Sequence, residues 1–278
     1  MDADIQELAT FLDEQRSKQE RHFPTVKCDK VLSYMATTSL PGTHASVAVC
    51  PVLGMRPGAG GKELSVRVRG PLPRAPARGE CITVHVTNVH QYQGYQVKTR
   101  AASGQDEPGA LYTSHGDEIE IEGSHTFTVH HSPYTLKFFE QIPFEEVDQM
   151  VGRVPYALLG VGEQVNISPR FIFHFEIREG RLFLYHGDGL ALKTYMNLKS
   201  NRQETRLVLD LDDYSGYALR GTVEEFQPHK HPEAYTRICQ GFSAGDWGKP
   251  SRTFRFAADR WERIAPTAPS VRGLRAAS

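Results

Sequence analysis

The sequence has little cysteine: Cys28, Cys50, Cys81 and Cys239 are its four, and no two form a C-x-x-C pair. That excludes a disulfide scaffold and the common cysteine-rich zinc sites, and it leaves buried free thiols in a reducing compartment. Net charge is also nearly absent, at -1. No global field draws the chain to nucleic acid or to an anionic membrane, so neither is an expected partner. No apolar run approaches the roughly 20 residues of a membrane span. Met1 to Gln19 carries acids and no apolar stretch of the kind a secretion signal needs. These absences point to a cytoplasmic protein. There is no G-x-S-x-G, which argues against a serine hydrolase. The closest of the twelve histidines are His130-His131 and His229-Lys-His231. Adjacent strand residues face opposite ways, and no recognised ligand spacing is present, so no metal is expected.

What is present is mostly strand pattern. Ile5, Leu8, Ala9 and Leu12 recur at helical spacing and predict a short docking helix. From about Val31, β-branched and aromatic runs alternate with Gly/Pro breaks: Ala45–Val49, Leu64–Val68, Ile82–Val86, Gly94–Val97, Ile119–Glu122 and Thr126–Val129. Pro143 with Phe144, Val147 and Met150 suggests a second short helix. Strand pattern then resumes at Tyr156–Val161, Phe171–Ile177, Arg181–Tyr185, Arg206–Leu211 and Tyr217–Val223. Pro232–Cys239 reads as a helix, and Thr253–Phe256 with Trp261–Ile264 as a closing hairpin.

The two halves resemble each other. At one offset, Leu32-Ser-Tyr34 meets Val154-Pro-Tyr156, Ser46 meets Ser168, and Gly94-Tyr-Gln-Val-Lys98 meets Gly216-Tyr-Ala-Leu-Arg220. At a slightly different offset Ser124-His-Thr-Phe127 meets Ser251-Arg-Thr-Phe254. Ordered self-similarity suggests a tandem module. The expected organisation is an N-terminal helix over 1–25, a first barrel over 26–142, a second over 143–266 and a mobile tail over 267–278. The two modules would pack as a pseudo-dimer.

One stretch suggests chemistry. Ser168-Pro-Arg170 lies on a strand; a later strand ends in His186-Gly-Asp-Gly189; a short helix then opens around Leu192 with Lys193 and Thr194 at its start. Free backbone N–H groups at a helix start favour an anion, Arg170 adds a fork of donors, and Thr194 adds a hydroxyl. Together they would cradle a phosphate.

In this order, Val154-Pro-Tyr-Ala-Leu-Leu159, Ser168-Pro-Arg170, Gly180-Arg-Leu-Phe-Leu-Tyr185, Lys193-Thr-Tyr-Met-Asn-Leu198 and Gly216-Tyr-Ala-Leu-Arg-Gly-Thr-Val-Glu224 resemble the pyridoxamine 5′-phosphate oxidase-like family. The resemblance covers residues 145–265 well and 26–140 thinly. It implies an all-β fold with short helices: two tandem FMN-binding split β-barrels with FMN between them. Arg170, Lys193 and Thr194 would hold the phosphate, Ser168 would join the cofactor-binding set, Tyr185 and His186 would run beside the cofactor, and Gln96 and Lys98 would lie near the flavin ring.

The first copy departs from the pattern. Where a K-T-x-x-N helix start would stand, it has Gly70-Pro-Leu-Pro-Arg-Ala-Pro-Ala-Arg-Gly79, whose prolines disfavour a helix. One FMN per chain is expected, with Arg74 and Arg78 in a solvated loop. The residues expected of a true pyridoxamine phosphate oxidase are not found. The expected function is an FMN-dependent oxidoreductase of a small aromatic or conjugated substrate, with NAD(P)H a candidate donor and a homodimer allowed. His90 and His186 are the candidate acid–base residues, since histidine titrates near neutrality. Tyr92 is the candidate substrate contact. Tyr95 and Tyr217, which recur in both halves, read as structural. The alternatives are a non-catalytic flavin, deazaflavin or haem binding protein, or an interaction protein whose site has decayed.

Overall fold

Runs such as Leu64-Ser-Val-Arg-Val68 and Ile82-Thr-Val-His-Val86 alternate β-branched with polar residues, and both lie in strands of the computed structural model. The structure describes residues 3–22, 31–37, 48–57, 63–69, 81–88, 93–101, 124–135, 156–161, 166–189, 192–210, 215–244 and 247–265, with side chains for a smaller set. The expected strand at Ile119–Glu122, the helix after Pro143, the loop holding Arg74 and Arg78, and His90 and Tyr92 lie outside the described residues. Among the described residues the architecture is antiparallel β with short helices, in two compact units.

One unit is a closed barrel. Its strands are β2 (Ala48–Pro57), β3 (Glu63–Arg69), β4 (Cys81–Asn88), β5 (Gln93–Ala101), β6 (Ser124–Thr135) and β7 (Tyr156–Val161). They run in the closed order β2-β3-β6-β5-β4-β7. β2 serves two partners: Ala48–Pro51 pairs with β7, while Val52 and the run from Gly54 to Pro57 pair with β3. Pro51, which has no N–H to give a ladder, stands where the partner changes. In β4, His85 is buried, and burial pushes its imidazole down to about 4.

The other unit takes α1 (Ala3–His22), β1 (Val31–Thr37) and the chain from Ser168 to Ile264 apart from residues 211–214. The units therefore interleave along the chain, whereas the sequence suggested consecutive modules divided at 142/143. The later elements are β8 (Asn166–Ile172), β9 (His174–Arg178), β10 (Arg181–Asp188), α2 (Leu192–Ser200), β11 (Gln203–Leu209), β12 (Gly216–Glu225), α3 (Pro232–Ala244) and β13 (Arg252–Ile264). The sheet order is β8-β1-β11-β12-β13-β10-β9. Its first and last members are consecutive in the chain, separated by Phe173, whose N–H donates to the Tyr185 carbonyl at 3.1 Å.

Two sequence expectations need correcting here. Phe171–Ile177 divides at Phe173 into two strands. The expected closing hairpin is a single strand, β13, because Ala257 and Ala258 pair with Thr222 and Gly221 instead of turning back. Its register against β12 shifts between Arg220 and Gly221. A Cβ at Gly221 would stand 2.0 Å from the Ala257 carbonyl oxygen, so only glycine lets the backbones approach here.

The core of this unit follows the strand period of two. Leu182 and Leu184 of β10 join Val208, Leu219, Val223, Phe254 and Phe256, and α1 docks on them through Ile5, Leu8 and Leu12, all fully buried. This is the stripe expected from the sequence, with Ala9 only half-buried. The opposite face of β10, Phe183 and Tyr185, packs with Phe173, Phe226 and the α3 residues Ala234, Ile238 and Phe242.

Candidate functional site

β10 and β11 run antiparallel to one another, since each step β11-β12, β12-β13 and β13-β10 is antiparallel. The end of β10 and the start of β11 therefore share one end of the sheet, and α2 links them. The residues there are polar and buried: His186 and Asp188 from β10, Thr194 and Asn197 from α2, Asn201, and Glu204 and Arg206 from β11. Period two puts Glu204 and Arg206 on the face of Val208, which belongs to the core.

Arg206 organises this end. Its Nε donates to Glu204 Oε1, and both side chains are 0% exposed. Its Nη2 donates to His186 Nδ1 at 3.0 Å. A guanidinium only donates, so Nδ1 accepts and the imidazole proton sits on Nε2. The His186 ring stacks on Phe254 at 5.2 Å, and the Arg206 guanidinium lies 4.4 Å from the Phe256 ring centre. Burial holds His186 well below its usual range, and the Arg206 and Arg170 cations push the same way. Burial raises the Glu204 carboxyl, opposed by Arg206 and then Arg170. Arg170 of β8 approaches Asp188 Oδ1 at 3.7 Å. The β10 end is pinned by Ser251, whose Oγ donates to the carbonyls of Asp188 and Gly189, each at 2.8 Å.

Tyr185 faces the other way. Its hydroxyl donates to Glu176 Oε1 and lies 3.3 Å from His231 Nδ1, beside the start of α3. Burial first, then the Glu176 hydrogen bond, raises its phenol pKa. Tyr185 and His186, both expected beside a cofactor, thus occupy opposite faces, and both are buried against protein groups. No single ligand edge runs along the two. Of the other expected residues, Arg170 lies beside Asp188 at the polar end, and Thr194 is buried in the first turn of α2. Lys193 lies in the first turn of α2 and Ser168 in β8. Gln96 and Lys98 lie in β5 of the closed barrel, paired with His85 and Thr83. The side chains of Lys193, Ser168, Gln96 and Lys98 are not among those described.

The donor chemistry at the polar end fits a phosphate ester. Arg170 is 16% exposed and carries a fork of N–H groups, with Asp188 beside it. Thr194 stands in the first turn of α2, where backbone N–H groups have no helical partner. Sequence reading missed Asp188, Glu204 and Arg206. The signal available was Glu204-Thr-Arg206-Leu-Val208, in which two opposite charges share the alternation of Val208 in a strand that ends apolar. Among the described residues no cluster of three or more His, Cys, Asp or Glu side chains could hold a metal ion, and no helix is long and apolar enough to cross a membrane.

No protein-family model matches the chain, and no curated protein matches it in sequence. Among solved structures, the 1.70 Å crystal structure of Group A Streptococcus HupZ is similar at 18% identity, covering 38% of this chain and 80% of that one, with a TM-score of 0.30. A likeness of that size carries no argument about function.

Proposed function

We propose that the chain is an FMN-dependent oxidoreductase of a small aromatic or conjugated substrate, built as a tandem duplication of one split barrel whose copies form a pseudo-dimer. The observation carrying this reading is the polar end under α2. Arg170, held near Asp188 at the end of β10, and Thr194, buried in the first turn of α2, follow one another along the chain in the order of the family pattern. Arg170, Thr194 and Lys193 would hold the phosphate, with Ser168 also in the cofactor site; Gln96 and Lys98 would serve the ring. The flavin, when bound, supplies the hydride chemistry, and the chain supplies position and electrostatics. Asp188 orients Arg170; burial first, then the Arg206 cation, keeps His186 neutral, and the Arg206 hydrogen bond fixes its ring.

The test is the absorption spectrum of the purified protein, followed by FMN titration. Lys193→Ala should weaken FMN binding by roughly 10–100-fold, the worth of about 1.5–3 kcal/mol for a hydrogen bond to a charged group. Lys199→Ala should change it little, since Lys199 is exposed and lies 4.8 Å from the Tyr195 ring centre on the same helix. No chromophore and no uptake of added FMN refutes the proposal.

A second reading, a non-catalytic flavin, deazaflavin or haem binding protein, is favoured by one observation. His186 has its Nδ1 lone pair taken by Arg206 and its ring face by Phe254, which leaves it poorly placed for proton transfer. A Soret band identifies haem. With FMN present, the rate of reduction by NADH or NADPH separates an enzyme from a carrier.

A further inference from the structure

The two sheets have one circuit. Reading β8 with β9 as the counterpart of β2, β10 of β3, β11 of β4, β12 of β5 and β13 of β6, the orders β2-β3-β6-β5-β4 and (β8, β9)-β10-β13-β12-β11 agree step for step. The register agrees as well. Thr83 pairs with Lys98 across β4-β5, and Thr205 with Arg220 across β11-β12. These are the residues that the Gly94–Lys98 and Gly216–Arg220 match brings into correspondence. β2 divides its pairing between β7 and β3. β8 and β9 divide theirs the same way, between β1 and β10.

The one remaining place in each circuit lies between β2 and β4 in the closed barrel, and between β8 and β11 in the other unit. β7 fills the first and β1 the second. Leu159 of β7 stands opposite Val84, and Met35 of β1 opposite Arg206, the counterpart of Val84. Yet β1 leads the half that contains β2–β6, and β7 leads the half that contains β8–β13. Were each half self-contained, the two strands would stand in each other's places.

We infer that the chain is strand-exchanged: the leading strand of each half completes the sheet circuit of the other. This rests on the duplication in the proposed function but not on FMN. Neither circuit is completed by its own half's leading strand. The exchange also gives the polar end a wall from the chain's first residues, since Met35 pairs with Arg206 and Thr37 with Glu204. The N-terminal segment is then part of the candidate site.

Two measurements on the full chain test this, neither reading flavin. In the first, paired cysteines are introduced with native cysteines kept, and bridges are assigned by peptide mapping of the non-reduced monomer. Ser33→Cys with Val208→Cys, and Ala36→Cys with Thr205→Cys, match the exchanged register. Being three residues apart, they sample both kinds of antiparallel pair. Ser33→Cys with Val86→Cys, and Ala36→Cys with Thr83→Cys, match the unexchanged register, since Ala157 and Gly160 hold those positions in the closed barrel. Exchange requires at least one bridge of the first kind and none of the second. A bridge of the second kind, failure of both of the first kind in folded protein, or bridges only in covalent dimers overturns it. In the second, a protease site is placed between residues 142 and 143 of the otherwise unaltered chain. The two fragments should elute together at the volume of the uncut chain and part only in denaturant; separation under native conditions overturns the inference. Strand exchange without flavin binding would sink the proposed function and leave this inference standing.

Discussion

Replacing Arg206 with methionine keeps the length of the side chain and deletes its charge. An exposed ion pair is worth about 0–1 kcal/mol, whereas removing one partner of a buried pair costs about 3–5 kcal/mol, because the other charge stays behind uncompensated. With both side chains at 0% exposure, Glu204 and Arg206 belong to the second regime. The variant also frees His186 Nδ1 and loses the cation over Phe256. The assay is urea unfolding followed by tryptophan fluorescence. The chain has two tryptophans, Trp247 and Trp261, and both lie in the unit that holds Arg206, so the signal reads that unit. With a urea slope of about 1–3 kcal/mol/M, the midpoint should fall by roughly 1–5 M. Glu204→Leu with Arg206→Met should recover at least half of the loss, since an apolar pair leaves no stranded charge. pH gives a further check. Without Arg206, burial leaves Glu204 with a folded pKa above its unfolded value of 4.5. The variant's deficit is then complete above the folded value and shrinks as pH falls toward 4.5. A loss below about 1 kcal/mol, or a double variant no more stable than the single, refutes the reasoning.

Further outcomes follow from the same structure. His186 and His85 are buried neutral with pKa values below the usual 6.5, so stability should be full above that pH and fall below it. For His85, at about 4, the full loss is on the order of 3 kcal/mol; His186→Gln should flatten the acid slope read by tryptophan fluorescence. Gly221→Ala should abolish folding or cost several kcal/mol, whereas Gly180→Ala, at φ +74° with open space around its Cβ, should cost only about 1–2 kcal/mol. Leu8→Ala should cost about 2–5 kcal/mol by opening a cavity under α1, measured by the same urea midpoint.

Much of the framework was legible because its signals are local. The stripe Ile5, Leu8, Leu12 needs only helical period to be read, and most strands need only alternation. The hairpin turn of Glu179 and Gly180, both at positive φ, follows from local chemistry too. The anion-suited residues Arg170 and Thr194 were readable because a helix start has known electrostatics. Glu204 and Arg206 were not, because a charged residue in a strand reads as solvated until the neighbouring strands bury it. Ala257-Ala-Asp-Arg260 looks like a break between two strands, and only the pairing with β12 makes it one. Nothing in the local sequence of β1 says which half's sheet it will join.

The pairing of β1 with β11 joins Ser33 to Val208, 175 residues apart. At a synthesis rate of about 5–20 residues per second, β1 leaves the ribosome on the order of ten seconds or more before its partner exists. For that interval α1 and β1 lack the strands they dock on in the folded chain, and their apolar stripe and free strand edges stand open to other chains and to the place that β7 later fills. Loop closure over such a distance also slows the final step. The vulnerability of this protein is thus concentrated in time: its N-terminal segment is made early and secured only once β11 follows.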